Sequence, residues 1–157
     1  MHIMACLLTN YCQLPEIGER TVVHRDNVIH IAAAIIEDKQ GRVLLVRKKN
    51  TVFFMQPGGK PEPKESPSAA LIRELREELQ IDVAEESIQF IGRFTDIAAN
   101  EDNHRLVADI FRVPAPDAAI SPAAEIAEVI WLSPDACSSV TLAPLTQNQI
   151  LPLLRQR

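Results

Sequence analysis

Residues 57–81, PGGKPEPKESPSAALIRELREELQI, restrict what this chain can become more than any other stretch. A paired-glycine turn leads through a polar loop into a helix with two opposed faces. Ser66 has the chemistry of an N-cap and Pro67 that of a first helical residue, and the run to Leu79 consists of good helix formers. Leu71, Leu75 and Leu79 recur at every fourth position and, with Ile72, make one apolar stripe that must face a core. Glu74, Glu77 and Glu78 stand at i, i+3 and i+4 on another face, about 5–6 Å apart. Carboxylates that close repel by roughly a few tenths of a kcal/mol per pair in water, and by more away from it. The face therefore calls for a positive partner, and an oxygen-rich cluster suits a hard cation such as magnesium.

The rest of the chain reads as strands. VIHIAAAII, residues 28–36, is nearly all apolar and fits a strand buried on both faces. Asp38 to Gly41 is a turn, and RVLLV, residues 42–46, returns as the second arm of a hairpin. The basic run Arg47, Lys48 and Lys49 precedes a short strand from Val52 to Met55. Strands over 88–97 and 105–113 flank the polar loop 98–104, and 125–132 reads as a late strand. Ser133-Pro134-Asp135 repeats the cap-then-proline signal for a short helix. A second helical segment near 146–154 is limited by Pro152.

Residues 1–26 show no sustained period and read as an irregular lead-in, for which an added edge strand or a homodimer contact are the roles open. Residues 27–157 read as one domain, since 157 residues suffice to bury about 70% of the unfolded surface. A net charge of −5 argues against broad binding to a nucleic acid polymer or an anionic membrane. It leaves room for a phosphate ligand, because a bound metal supplies positive charge locally. Cys6, Cys12 and Cys137 lack metal-ligand spacing and are odd in number, as expected of a reduced compartment. With no basic n-region at the start and no long apolar run, the expected location is the cytoplasm.

Three chemical elements converge in 57–81. Gly58 and Gly59 let the backbone turn sharply and bring bare carbonyl and amide groups close to an ion or ligand. Arg73 precedes Glu77 by four residues, so an ion pair can fix that carboxylate. Glu65, just before the N-cap, can reach Arg73 once the loop folds back. By itself, Glu-x-x-Glu-Glu is more often a solvated acidic face, although no lysine follows these glutamates to solubilise it.

The stretch resembles the signature of the Nudix hydrolases, through Gly59, Glu65, Arg73-Glu74, Leu75, Glu77-Glu78 and Ile81 at the family's spacing. The likeness extends over roughly residues 28–135, with Phe54 to Gly59 and Glu125 to Trp131 as its flanks. One position departs: Gln80 stands where the family has a glycine. A glycine there serves as a left-handed helix C-cap. Glutamine holds that conformation at a cost of about 1–2 kcal/mol, unless the helix ends in another way.

The resemblance implies an α/β fold, an α/β/α sandwich around a mixed β-sheet, and hydrolysis of a pyrophosphate bond in a nucleoside diphosphate linked to another moiety. Magnesium, with manganese as an alternative, is implied at Glu74, Glu77, Glu78 and the Gly58 carbonyl. Arg73 is implied to orient a glutamate and Glu65 to hold the loop. A further base comes from outside the box in this family, and Glu101 and Glu128 are the candidates, with Glu78 itself a third. Gly58, Gly59, Phe54 and Arg47 are the candidate substrate contacts. The expected partner is a nucleotide-derived small molecule, a nucleoside triphosphate or modified nucleotide first. ADP-ribose, a nucleotide sugar or a dinucleotide is the alternative, and a non-catalytic nucleotide sensor is the reading from a different class.

Overall fold

A computed structural model describes residues 27–136 and 139–156; the lead-in, with its His2, Cys6 and Cys12, and also Cys137 lie outside them. The apolar run becomes β1 (Asn27–Glu37). Its alternate residues feed two separate cores, as the two-residue period of a strand requires. Ala32, Ala34 and Ile36 pack with Leu71, Leu75 and Leu79 of α1 (Pro67–Leu79). Ala33 and Ile35 pack on the opposite face with Ile150, Leu151 and Leu154 of the C-terminal helical segment. A strand apolar on both sides thus lies between two helical layers, and the expected α/β/α sandwich is the observed one.

The sheet is mixed. β1 runs parallel to β6 (His104–Pro114) along its whole length, from Asn27↔His104 to Glu37↔Pro114. β5 (Gln89–Ile97) pairs antiparallel with β6 and closes one side. On the other side, the turn at Asp38 returns the chain as β2 (Val43–Lys48), through hydrogen bonds from Gln40 and Arg42 N–H to the Asp38 carboxylate (2.9 and 2.8 Å). The hairpin read from sequence is formed, but β1 and β2 pair only at Glu37↔Val43. Beyond that point the two strands part. β2 takes β3 (Phe54–Met55) and β7 (Ile126–Leu132) as partners. Into the opening against β1 comes β4, the two residues Gly58 and Gly59, registered on Ala33 and Ala32. A run of alanines facing a pair of glycines permits this close approach, and the wedge so formed carries the site.

Three local expectations are corrected. Ser133-Pro134-Asp135 makes a single turn, closed by Ala136 N–H to Ser133 O (3.0 Å), and no helix. The serines and β-branched residues that follow are poor helix formers. Pairing before β4 is confined to Phe54–Met55, because Asn50 takes a left-handed turn (φ 63°) and leaves Val52 outside the ladder. Pro152 does not limit the last helix. A wide π-helical turn, Thr146–Ile150, ends in a bond from Leu151 N–H to Thr146 O, and α2 (Leu151–Arg155) follows with Pro152 in its first turn, where no N–H is required. No helix among the described residues is long and apolar enough to cross a membrane.

Candidate active site

Helix α1 begins and ends as its sequence dictates. Ser66 Oγ accepts the Ala69 N–H (3.2 Å), and Pro67 follows as the first helical residue. At the other end Gln80 adopts the left-handed conformation (φ 57°, ψ 35°). Its N–H bonds Arg76 O (3.1 Å), and Ile81 N–H reaches back to Leu75 O (3.3 Å). Glutamine therefore makes the same stop that glycine would, with the conformational cost retained. With the leucine stripe buried, the rotation of the helix is fixed, and the three glutamates meet very different surroundings. Glu77 is exposed, Glu74 is largely covered, and Glu78 is buried at 1% exposure against the wedge.

Arg73 organises the outer half of this face. Its guanidinium binds Glu65 through Nε (3.0 Å) and Nη2 (2.9 Å), a two-pronged geometry that fixes both partners. Nη1 lies 2.8 Å from Glu74 and 3.5 Å from Glu77, and Nη2 also donates to Lys60 O (3.2 Å). One arginine thus ties the 60–65 loop to the helix and aims two carboxylates. The hydrogen bonds from Arg73 and from the Glu62 N–H hold the Glu65 carboxyl below its ordinary range. The same carboxylates hold Arg73 firmly protonated.

Lys48 organises the inner half. Glu78 Oε2 accepts the Gly58 N–H (3.2 Å), and the Lys48 ammonium is 2.9 Å from Oε1. Lys48 also bonds Glu125 Oε1 and lies 3.5 Å from Gly58 O. Burial pushes the Glu78 carboxyl up to about 7, against the pull of Lys48 and the Gly58 N–H in the other direction. Gly58 itself has φ +144°, and a Cβ there would stand 2.1 Å from Ala32 O. Only glycine lets the chain pass this close to β1 and still point its N–H at Glu78.

Part of this set lines one cleft of about 510 Å³, while Glu65, Glu77 and Glu78 lie outside its lining. Lys48, Gly58, Gly59, Arg73, Glu74 and Glu125 form its charged end. Ile29, Ile31, Leu106 and Leu145 form an apolar end, where Gln56 and Thr146 meet through a 2.8 Å hydrogen bond. Glu101 is on the rim, 3.7 Å from Lys60 Nζ. Three further candidates from the sequence fall away from it altogether. Phe54 is 5% exposed and packed in the core under α2, so it offers no face to a ligand. Arg47 and Glu128 pair with each other across β2 and β7 (3.0 and 3.3 Å), and neither lines the cleft. In their places stand Lys48 and Glu125. Strand parity held the signal: Lys48 shares its side with Leu44 and Val46, which pack under α1, whereas Arg47 shares its side with Leu45.

The donor set fits a hard cation. Every group is an oxygen donor, and the partner of the buried Glu78 Oε1 is a cation, the Lys48 ammonium at 2.9 Å. A positive charge, the Lys48 ammonium, already stands between that oxygen and Gly58 O. Among the described residues no three carboxylates converge on one point, since Arg73 holds Glu74 and Glu77 to one side and Lys48 holds Glu78 to the other.

The NUDIX domain model matches residues 28–154. The CTP pyrophosphohydrolase of Escherichia coli (strain K12) is 32% identical over 122 residues, covering 74% of this chain and 84% of that protein. The 8-oxo-dGTP diphosphatase of Proteus vulgaris is 44% identical over 61 residues, 36% of this chain, and the match spans about half (54%) of that relative. The crystal structure of a MutT protein from Methanosarcina mazei Go1 superposes with a TM-score of 0.68 at 21% identity, over 84% of this chain and 96% of that one, a likeness of fold. With the family model spanning both cores, the glycine wedge and the acidic helix, the chain belongs to the NUDIX domain family.

Proposed function

We propose that this chain is a divalent-metal-dependent pyrophosphohydrolase of nucleotides, with a nucleoside triphosphate or modified nucleotide as substrate. The observation that supports it most is the cleft itself, where charged and apolar ends adjoin in a volume of about 510 Å³. That is within the usual range for small-molecule sites, roughly 300–1,000 Å³. The charged end accepts a polyphosphate and the apolar end a base. The relatives named above are called a CTP pyrophosphohydrolase and an 8-oxo-dGTP diphosphatase, and a triphosphate substrate accords with both names.

Magnesium or manganese would be held by Glu74, Glu77, Glu78 and Gly58 O, and when bound would neutralise phosphate charge and acidify an attacking water. The chain's own groups do the remainder. Arg73 keeps Glu74 and Glu77 in place and ties them to Glu65. Lys48 and Lys60 offer positive charge to the substrate's phosphates. Water attacks phosphorus, the bridging P–O bond breaks, and the water's proton passes to a carboxylate. Glu125, half-exposed in the cleft, is the group outside the box best placed to take it, with Glu101 on the rim as the second. A reduced cytoplasmic setting belongs to the same proposal.

Turnover of a nucleotide panel, with and without magnesium, tests this reading. At least one member should be cleaved only with metal, and Glu78→Gln should lower that rate by about 10²-fold or more. Tight, magnesium-independent nucleotide binding without turnover of any member would replace the enzyme with a sensor.

A further inference from the structure

The cation position beside Glu78 is filled by the protein's own lysine. Lys48 Nζ is 2.9 Å from Glu78 Oε1 and 3.5 Å from Gly58 O, two of the oxygens assigned above to the metal. It also bonds Glu125, whose side chain is half-exposed, while the lysine is itself largely covered. The glutamate is 1% exposed, and an isolated carboxylate that deep is costly. The site has thus been supplied with a counter-charge that does not depend on metal. Two cations on the same buried oxygen repel each other at these distances, and the more strongly at low dielectric, so each weakens the other's hold.

We propose that Lys48 is a built-in place-holder for the divalent cation: metal and ammonium occupy the Glu78–Gly58 cradle in alternation. On loading, the ammonium leaves Glu78, stays with Glu125 and turns toward the cleft. Lys48 is a positioning residue in this scheme. It holds Glu78 beside the glycine wedge while the cradle lacks metal, and it sets how strongly metal would bind. The inference rests on the metal assignment proposed above, and its test separates the two.

Magnesium affinity is measured by calorimetry on the full chain, without nucleotide. In parallel, carbon-13 NMR follows the Lys48 ε-carbon in wild type, assigned by its loss in Lys48→Met or, equally, in Lys48→Arg. Alternation predicts that magnesium shifts that resonance in wild type and leaves it unmoved in Glu78→Gln. Lys48→Met should bind magnesium about tenfold more tightly, within the usual range of coupling between competing ligands. The metal-free Lys48→Met protein should also melt at a lower temperature than wild type, and gain more from added magnesium. A wild-type Lys48 resonance that stays still while calorimetry records magnesium bound, and lost in Glu78→Gln, overturns the place-holder alone. Equal or weaker binding by Lys48→Met does the same. Unchanged binding by Glu78→Gln overturns the metal assignment and the place-holder with it. The wild-type resonance still separates these outcomes if Lys48→Met fails to fold.

Discussion

Replacing Gly58 by alanine probes the wedge on which the site is built. The added Cβ would stand 2.1 Å from Ala32 O and 2.7 Å from Ala33 Cα, both backbone atoms of the central strand. Neither can yield as a side-chain tip would. The backbone angle, φ +144°, is in addition one that L-residues rarely adopt, at a cost of about 1–3 kcal/mol. Relieving the clash means withdrawing β4 from β1, which gives up the Ala34 N–H to Pro57 O bond (2.9 Å) and the Gly58 N–H to Glu78 bond (3.2 Å). At about 1 kcal/mol for each bond, the total comes to about 3–5 kcal/mol. Two other glycines calibrate that figure. Gly41 has φ +74° with nothing within 4 Å of a Cβ, so Gly41→Ala should cost only about 1–2 kcal/mol. At Gly59 the Cβ would meet the Glu74 carboxyl carbon at 2.5 Å, the movable end of a side chain. Gly59→Ala should therefore lose about 1 kcal/mol or less of stability while displacing Glu74 from Arg73 and suppressing turnover. Urea unfolding followed by tryptophan fluorescence or circular dichroism gives the stabilities, and magnesium-dependent turnover gives the activities. A Gly58→Ala protein as stable as Gly41→Ala would refute the wedge as described.

Gln80→Gly should raise stability by about 0.5–1 kcal/mol in urea unfolding, the relief of the left-handed glutamine being partly offset by the greater unfolded-state freedom of glycine. An unchanged or lowered midpoint would mean that the helix stop is not strained. Glu125→Gln should lower turnover by about 10²–10⁴-fold, the range of a lost general base, while Glu128→Gln should change it by about twofold at most. The reverse ranking would restore Glu128 as the base. The metal-free protein should also lose stability as pH rises. Glu78 holds its proton up to about 7 when folded and releases it near its ordinary 4.5 when unfolded. Its contribution is therefore complete below about 4.5 and disappears as pH passes about 7, by at most about 3 kcal/mol. Melting temperatures in chelator should fall from pH 5 to pH 8, and Glu78→Gln should flatten that slope.

The sequence by itself determined the elements made by local rules. Ser66 and Pro67 start α1 and the leucine spacing chooses its buried face, while the left-handed stop at Gln80, one of two endings open to the sequence, is the one the structure takes. The nearly unbroken apolar run VIHIAAAII already calls for cover on both faces, and the spacing of Glu65, Arg73 and the three glutamates carries the family likeness. Those signals lie within a few residues of one another, where backbone geometry leaves little choice. What the tertiary structure decided depends on distance across the sheet. Residues 28–46 read as a plain hairpin, yet β1 leaves β2 after one pair, and Gly58-Gly59 fill the gap on that edge of β1. That opening buries Glu78 while Glu77, one position away, stays in solvent, a difference invisible in Glu-x-x-Glu-Glu. It also selects Lys48 over Arg47 and, just ahead of β7, Glu125 over Glu128, because which side chains reach the cleft depends on pairing between β2 and β7, far apart in the chain. A local motif can specify which side chains are available for chemistry; only the packed sheet specifies which of them share one low-dielectric cleft.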